Sequence, residues 1–176
     1  MMSLHALFWF FVILFALIGM FRGFKKEALV SASVYLSLSI VALLRSYVPA
    51  IQQITEDSLT YFWVRTGSLL FMILIGYQTV NLSRFSERFQ SPDLTHRIFG
   101  LLIGGLNGYL IFGALWYFMI QADYPFADFI IAPVKGTDWG DLSLQTQKLL
   151  FLNYITEPWI YGITFAAFLI TLALFL

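Results

Sequence analysis

Five stretches of this chain, residues 4–21, 28–44, 66–82, 98–120 and 159–176, contain no Asp, Glu, Lys or Arg, and every charged residue falls outside them. A helix rises 1.5 Å per residue, so a run of about 18 residues covers about 27 Å, close to the thickness of a bilayer's hydrocarbon core. Inside lipid a backbone segment must satisfy its own polar groups, and a helix does so within itself. The spacing therefore predicts an all-α, polytopic transmembrane helical bundle of four to five spans. Residues 1–176 form a single transmembrane domain, and the longest connection, 121–158, is an external loop. Composition agrees: 60% of the residues are hydrophobic and 11% charged, against roughly 25% charged in a soluble domain. So few charges cannot solvate a globular surface.

The first run lacks a cationic leader and a small-residue cleavage pattern, and is read as a retained signal-anchor helix. In the second, Ser31, Ser33, Ser37 and Ser39 are expected to return hydrogen bonds to the preceding helical turn. Tyr61, Phe62 and Trp63 precede the third run, where an interfacial aromatic belt is expected. The sequence SRFSERFQSPDLTHR, residues 83–97, reads as a turn followed by a helix start. Within the external loop, LSLQTQKLLFLNYI, residues 142–155, is expected to form an amphipathic helix on the bilayer surface.

Charge sets the orientation. With five crossings the first and third connections share a side, and they hold Arg22, Lys25 and Lys26 in one and Arg84, Arg88 and Arg97 in the other. The opposite side holds Arg45, Arg65, Lys135 and Lys148, diluted by seven carboxylates. The positive-inside rule then makes the two basic connections cytoplasmic, with the N-terminus outside and the C-terminus inside. Net charge is zero and no basic stripe exists, so a nucleic-acid partner has no electrostatic footprint. The expected partners are the lipid bilayer, a second copy of the chain or another membrane protein.

Two glycine patterns invite close helix packing. Gly19 and Gly23 are four apart around the stretch GMFRGFKKEAL, and Gly100, Gly104 and Gly108 repeat every fourth residue, so each set lies on one helical face where another backbone can approach. Arg22, Lys25, Lys26 and Glu27 are read as the cytoplasmic anchor of a tight helical hairpin with internally paired charges. The groove of Gly100, Gly104 and Gly108 leaves three occupants open. These are a neighbouring helix of the chain, with the face of Ala32, Ser33 and Ser37 as the candidate, a second copy, or the water of a pore.

Catalytic chemistry finds little footing. No charged residue lies near the middle of a run, so the ionisable groups that proton relays use are missing there. The two histidines, His5 and His96, are expected on opposite sides of the membrane, away from a shared nucleophile. There is no cysteine, which removes thiolate metal sites and thiol nucleophiles. Asp138 and Asp141 are read as solvated turn residues. No catalytic, cofactor-binding or metal-binding residue is assigned, and the chain is expected not to be an enzyme.

RGFKKEAL, Arg22 to Leu29, directly after an apolar helix, resembles the pattern of the colicin V production protein (CvpA) family. HRIFGLLIGGLNGYLIFGAL, His96 to Leu115, is similar to the family's Asp-Arg-hydrophobic-Gly segment and glycine-rich helix, and DWGDLSL, residues 138–144, to its Trp-then-Ser-Leu stretch. The resemblance spans Leu4 to Leu144. Members usually carry Arg where Asn107 stands and often Asp where His96 stands, and they usually have four spans. The resemblance implies a bacterial inner-membrane protein associated with toxin or bacteriocin production and export and with envelope homeostasis, read as a non-enzymatic accessory or scaffold. The alternative is a small oligomeric channel or transporter subunit with the Gly100–Gly108 helix near its pore.

Overall fold

The computed structural model describes residues 3–79 and 93–175. Among these residues it is all helical: α1 (Leu4–Arg22), α2 (Phe24–Tyr47), the single turn α3 (Pro49–Gln52), α4 (Leu59–Thr79), α5 (Leu94–Gln121), α6 (Asp138–Lys148), a 3-10 turn (Phe151–Asn153) and α7 (Glu157–Phe175). Helices α1, α2, α4 and α5 are long and apolar enough to cross a membrane, and α7 adds a shorter apolar stretch, Pro158–Leu174. On α1, Phe10, Ile13, Leu17 and Phe21 stay exposed. A contiguous apolar face of this kind is what hydrocarbon solvates and water does not.

Helices α2, α4, α5 and α7 begin earlier than the uncharged runs, because charged and polar residues occupy their first turns. Between α1 and α2 only Gly23 is non-helical: its φ of 83° and ψ of 156° stop one helix and start the next, and its N–H donates to the Gly19 carbonyl at 2.8 Å. That conformation favours glycine, since it crowds any Cβ. Lys25, Lys26 and Glu27 therefore sit in the first turn of α2 and not in a loop. Helix α4 likewise starts at Leu59, which carries the expected interfacial aromatics inside: Tyr61 and Phe62 are buried, and only Trp63 stays exposed. Residues 83–92 of the expected turn lie outside the described residues. Asp93 caps α5, accepting the His96 backbone N–H at 2.8 Å.

The dominant helix pair is α1 against α5. They run antiparallel and step past one another four residues at a time. A Cβ on Gly104 would stand 2.8 Å from the Gly19 Cα and press on the Phe15 carbonyl; one on Gly108 would stand 2.9 Å from both the Val12 Cα and the Phe15 Cβ. Further along, Phe11 stacks on Phe112 at 3.8 Å and Phe8 packs on Trp116 at 5.7 Å. The groove of Gly100, Gly104 and Gly108 is thus filled by the first helix. The expected occupant, the Ala32, Ser33 and Ser37 face of α2, lies elsewhere, because backbone itself is the best filler for a groove this shallow.

Helix α2 packs on α4, α5 and α7, burying Val30, Val34, Leu38 and Val41. Its serines do more than return to the preceding turn. Ser33 does so, donating to the Leu29 carbonyl at 2.9 Å, while it lies under Gly76 of α4. Ser37 meets Ser68 of α4 at 3.1 Å, and Ser39 meets Thr164 of α7 at 2.6 Å. In lipid an interhelical hydroxyl pair contributes of order 1 kcal/mol and specifies register.

After α5 the chain turns through Asp123 and Tyr124, both at positive φ near 50°. The Tyr124 hydroxyl stabilises this turn, accepting from Gln147 Nε2 at 2.7 Å and from Trp116 Nε1 at 3.3 Å. The expected surface helix over 142–155 is displaced: α6 starts at Asp138 behind the Thr137 cap, which accepts from Gly140 N at 3.1 Å, and ends at Lys148. Leu150 and Phe151 then leave the surface and bury against Gly113 of α5, with the Tyr109 hydroxyl donating to the Leu149 carbonyl. Asp138 and Asp141 are first-turn helix residues and not turn residues, placed where a carboxylate opposes the helix dipole; Asp141 Oδ1 also accepts Gly136 N–H at 3.0 Å.

Replacing Gly104 by Val should push α1 off α5 and lower stability by about 3 kcal/mol or more, measured by unfolding in detergent micelles. Gly67, beside which a Cβ would meet nothing within 4 Å, is the control: Gly67→Ala should change stability by no more than about 1 kcal/mol.

Candidate functional site at the basic end of the bundle

Because α1 and α5 run antiparallel with Gly19 on Gly100, the end of α1, the start of α2 and the start of α5 converge at one end of the bundle. That end gathers Arg22, Lys25, Lys26 and Arg97. Phe24 joins the helices there, its ring 5.1 Å from that of His96 and 6.3 Å from that of Phe99. Asp93 accepts from the His96 backbone N–H and lies 2.5 Å from its Nδ1, and these hydrogen bonds hold the exposed Asp93 carboxyl below its ordinary 3.8. A depressed folded value means that the cap contributes fully above pH 3.8 and is lost as pH falls through the lower folded value.

Behind the cations lies a buried polar cluster. Glu27 is fully buried, one turn into α2, and each of its acceptors is used. Arg22 Nη1 donates to Oε1 at 2.7 Å, while Asn107 Nδ2 donates to Oε2 at 2.8 Å and to the Glu27 carbonyl at 2.9 Å. Ser31, four residues on along the same face, donates to Asn107 Oδ1 at 2.6 Å. The Arg22 guanidinium also lies 4.1 Å from the centroid of the Tyr77 ring of α4, within cation–π range. A buried charge is tolerable when it is paired and its lone pairs are filled, and both conditions hold.

The cluster ties α1, α2, α4 and α5 at a single point, so its chemistry is that of a clamp. Glu27 offers no vacant oxygen for a metal and no exposed one for proton exchange. Among the described residues no three of His, Asp or Glu converge as a metal site would need. His5 sits at the far end of the α1–α5 pair, its Nδ1 2.6 Å from Thr146 Oγ1, so the two histidines share no site. Of the residues singled out in the sequence, Gly19, Gly23, Gly100, Arg22 and Glu27 meet here. Gly104 and Gly108 continue the groove away from this end, and Lys25 and Lys26 flank it at the surface. Sequence reasoning expected Ser31 to reach the preceding turn, as it does at the Glu27 carbonyl at 3.3 Å, but missed its bond to Asn107 and missed Tyr77 altogether. Ser31 had a signal, its spacing of four from Glu27; Tyr77 had none.

Where α1 and α4 separate beyond Phe15 and Tyr77, a cavity of about 250 Å³ opens over α5, walled by apolar residues including Phe8, Phe62, Phe112, Trp116 and Phe126. Walls of that kind give water no hydrogen-bond partners.

A bundle of spanning-length helices with exposed apolar faces and a buried, paired carboxylate defines an all-α, multi-pass membrane protein. Residues 4–132 match the family model described as Colicin V production protein, and the chain belongs to that family. The match takes in α1 to α5 and stops short of the 138–144 stretch that also bears a resemblance. No curated protein and no solved structure matches the chain.

Removing the carboxylate with Glu27→Ala should leave Arg22 without its acceptor and Asn107 with only the residue 27 carbonyl, and destabilise the protein by about 3 kcal/mol. Glu27→Gln, which keeps an acceptor for Asn107, should cost less. A double-mutant cycle of Glu27→Ala with Asn107→Ala, read by unfolding in micelles, should show a coupling of about 1 kcal/mol or more.

Proposed function

We propose that the chain is a non-enzymatic accessory or scaffold of the bacterial inner membrane, acting in toxin or bacteriocin production and export or in envelope homeostasis. One observation carries this reading over a pore. The smooth face of α5, the natural candidate for a channel lining, lies under the backbone of α1 along Gly100, Gly104 and Gly108. Arg22, Glu27, Asn107 and Ser31 near it bond to one another, and the neighbouring cavity has apolar walls. Such a bundle is built to hold its shape and to present its ends to other proteins.

For orientation, the positive-inside rule places the end bearing Arg22, Lys25, Lys26 and Arg97 in the cytoplasm. Reporter fusions after Lys26, Gly136 and Leu176 should then read inside, outside and inside. An outside reading at Leu176 would show that α7 does not cross.

Purified chain in liposomes should pass no more ions or small solutes than empty vesicles. A reproducible conductance would overturn the scaffold reading in favour of the channel. Cells lacking the chain should export less of a co-expressed bacteriocin, with recovery on wild-type but not Gly104→Val expression; export indifferent to the chain would remove the role in toxin production.

A further inference from the structure

At the opposite end of the bundle, two arginines share one aromatic ring. Tyr61, buried in the first turn of α4, has two guanidinium groups against its ring: Arg65 Cζ at 4.0 Å and Arg45 Cζ at 4.8 Å from the centroid. Two groups so close to one ring lie no more than about 9 Å apart, where like charges still repel across a membrane protein. Arg45 is partly neutralised. Its Nη2 pairs with the exposed Glu56 at 3.1 Å, and its Nη1 donates to the Ile54 carbonyl at 3.1 Å.

Arg65 is different. It is half-buried, and its guanidinium lies against the aromatic faces of Tyr61 and, at 5.6 Å, Phe118. Among the described residues no carboxylate and no hydrogen-bond acceptor pairs with it. Stacking on two rings fixes the plane of the guanidinium and satisfies none of its five N–H donors. A half-buried cation with its donors unfilled, in a helix of spanning length, is costly unless an anion completes it. Glu56, the carboxylate at this end that forms an ion pair among the described residues, pairs with Arg45 and not with Arg65.

We propose that Arg65, supported by the charge of Arg45 across Tyr61, binds a phosphate group at the membrane interface. The donor geometry fits: a planar fork of N–H groups held rigid on aromatic rings matches two oxygens of one phosphate. The position fits as well, because Arg65 lies two turns into α4, at the level where a helix leaves the headgroup region for hydrocarbon. Headgroup phosphate of a bilayer lipid and free phosphate share this chemistry, and both would be held by the same donors.

The test uses the full chain in detergent micelles. Thermal unfolding is followed while short-chain phosphatidylglycerol, short-chain phosphatidylcholine or inorganic phosphate is titrated, for the wild type, Arg65→Gln and Lys135→Gln. Lys135 is exposed and controls for general charge attraction. Wild type and Lys135→Gln should be stabilised in a saturable way, and Arg65→Gln should show an apparent affinity lower by about tenfold or more, as expected for losing a charge-assisted pair. Stabilisation by the lipids and not by inorganic phosphate assigns the site to headgroups; stabilisation by inorganic phosphate alone assigns it to the free ion. No saturable effect from any of the three on wild type, or an equal effect on Arg65→Gln, overturns the proposal. Should Arg65→Gln fail to fold, native mass spectrometry of the wild type decides: retention of phospholipid or phosphate above that of a neutral alkyl glycoside supports the site, and equal retention overturns it.

Discussion

Backbone-to-backbone contact between α1 and α5 is the constraint on which the rest of the structure depends. In hydrocarbon, apolar side chains gain nothing by leaving lipid for protein, so helix pairing rests on van der Waals fit and on hydrogen bonds between helices. Glycines at Gly19, Gly100 and Gly104 let main-chain atoms touch with no side chain intervening. That contact fixes the antiparallel register, and the register brings Gly23 beside Gly100. From there the rest is geometric. The one-residue joint at Gly23 starts α2 against α5, and one turn later Glu27 meets Asn107.

Polar contacts then make the arrangement unique. An apolar bundle in lipid has many packings of similar energy, and each hydroxyl or amide pair selects among them at modest cost. In α2, Ser31, Ser33, Ser37 and Ser39 point in turn to α5, α4, α4 and α7, so one helix carries the addresses of three neighbours. The turn at Asp123 and Tyr124 works similarly outside the spans. Two left-handed residues in succession are unfavourable, and the Tyr124 hydroxyl is held from both α5 and α6. The strained turn thereby anchors the segment that returns Leu150 and Phe151 to the core.

Much of this was legible in the sequence, and the limits are physical. Uncharged runs of spanning length revealed the spans, and the glycine period revealed the groove, because both are local properties of one helix. The occupant of the groove was not local. Only Gly19 marks α1 as the partner; elsewhere the groove is met by residues such as Val12 and Phe15, whose backbone and Cβ atoms serve as well as a glycine would. Helix starts were read late since charged residues such as Lys25 and Lys26 were taken to belong to the gap, whereas a first helical turn accommodates them readily. The inserted Leu150 and Phe151 lack any periodic neighbourhood, and Tyr77 meets Arg22 only through packing of α4 that no pattern encodes.

The two ends of the bundle treat their arginines in opposite ways, and that contrast bears on what the protein does in a membrane. At one end Arg22 is neutralised from within by Glu27 and lies on Tyr77, so its charge is balanced inside the chain. At the other, Arg65 lies on Tyr61 in the same cation–aromatic geometry and pairs with no carboxylate among the described residues. Evenly distributed charge would serve solubility or topology alone. An internally closed arginine at one end and an open one at the other instead makes the first a fixed joint and the second a contact with the surroundings. The rigid joint keeps the helices in register, so that the open end meets whatever anion it binds with its donors already oriented.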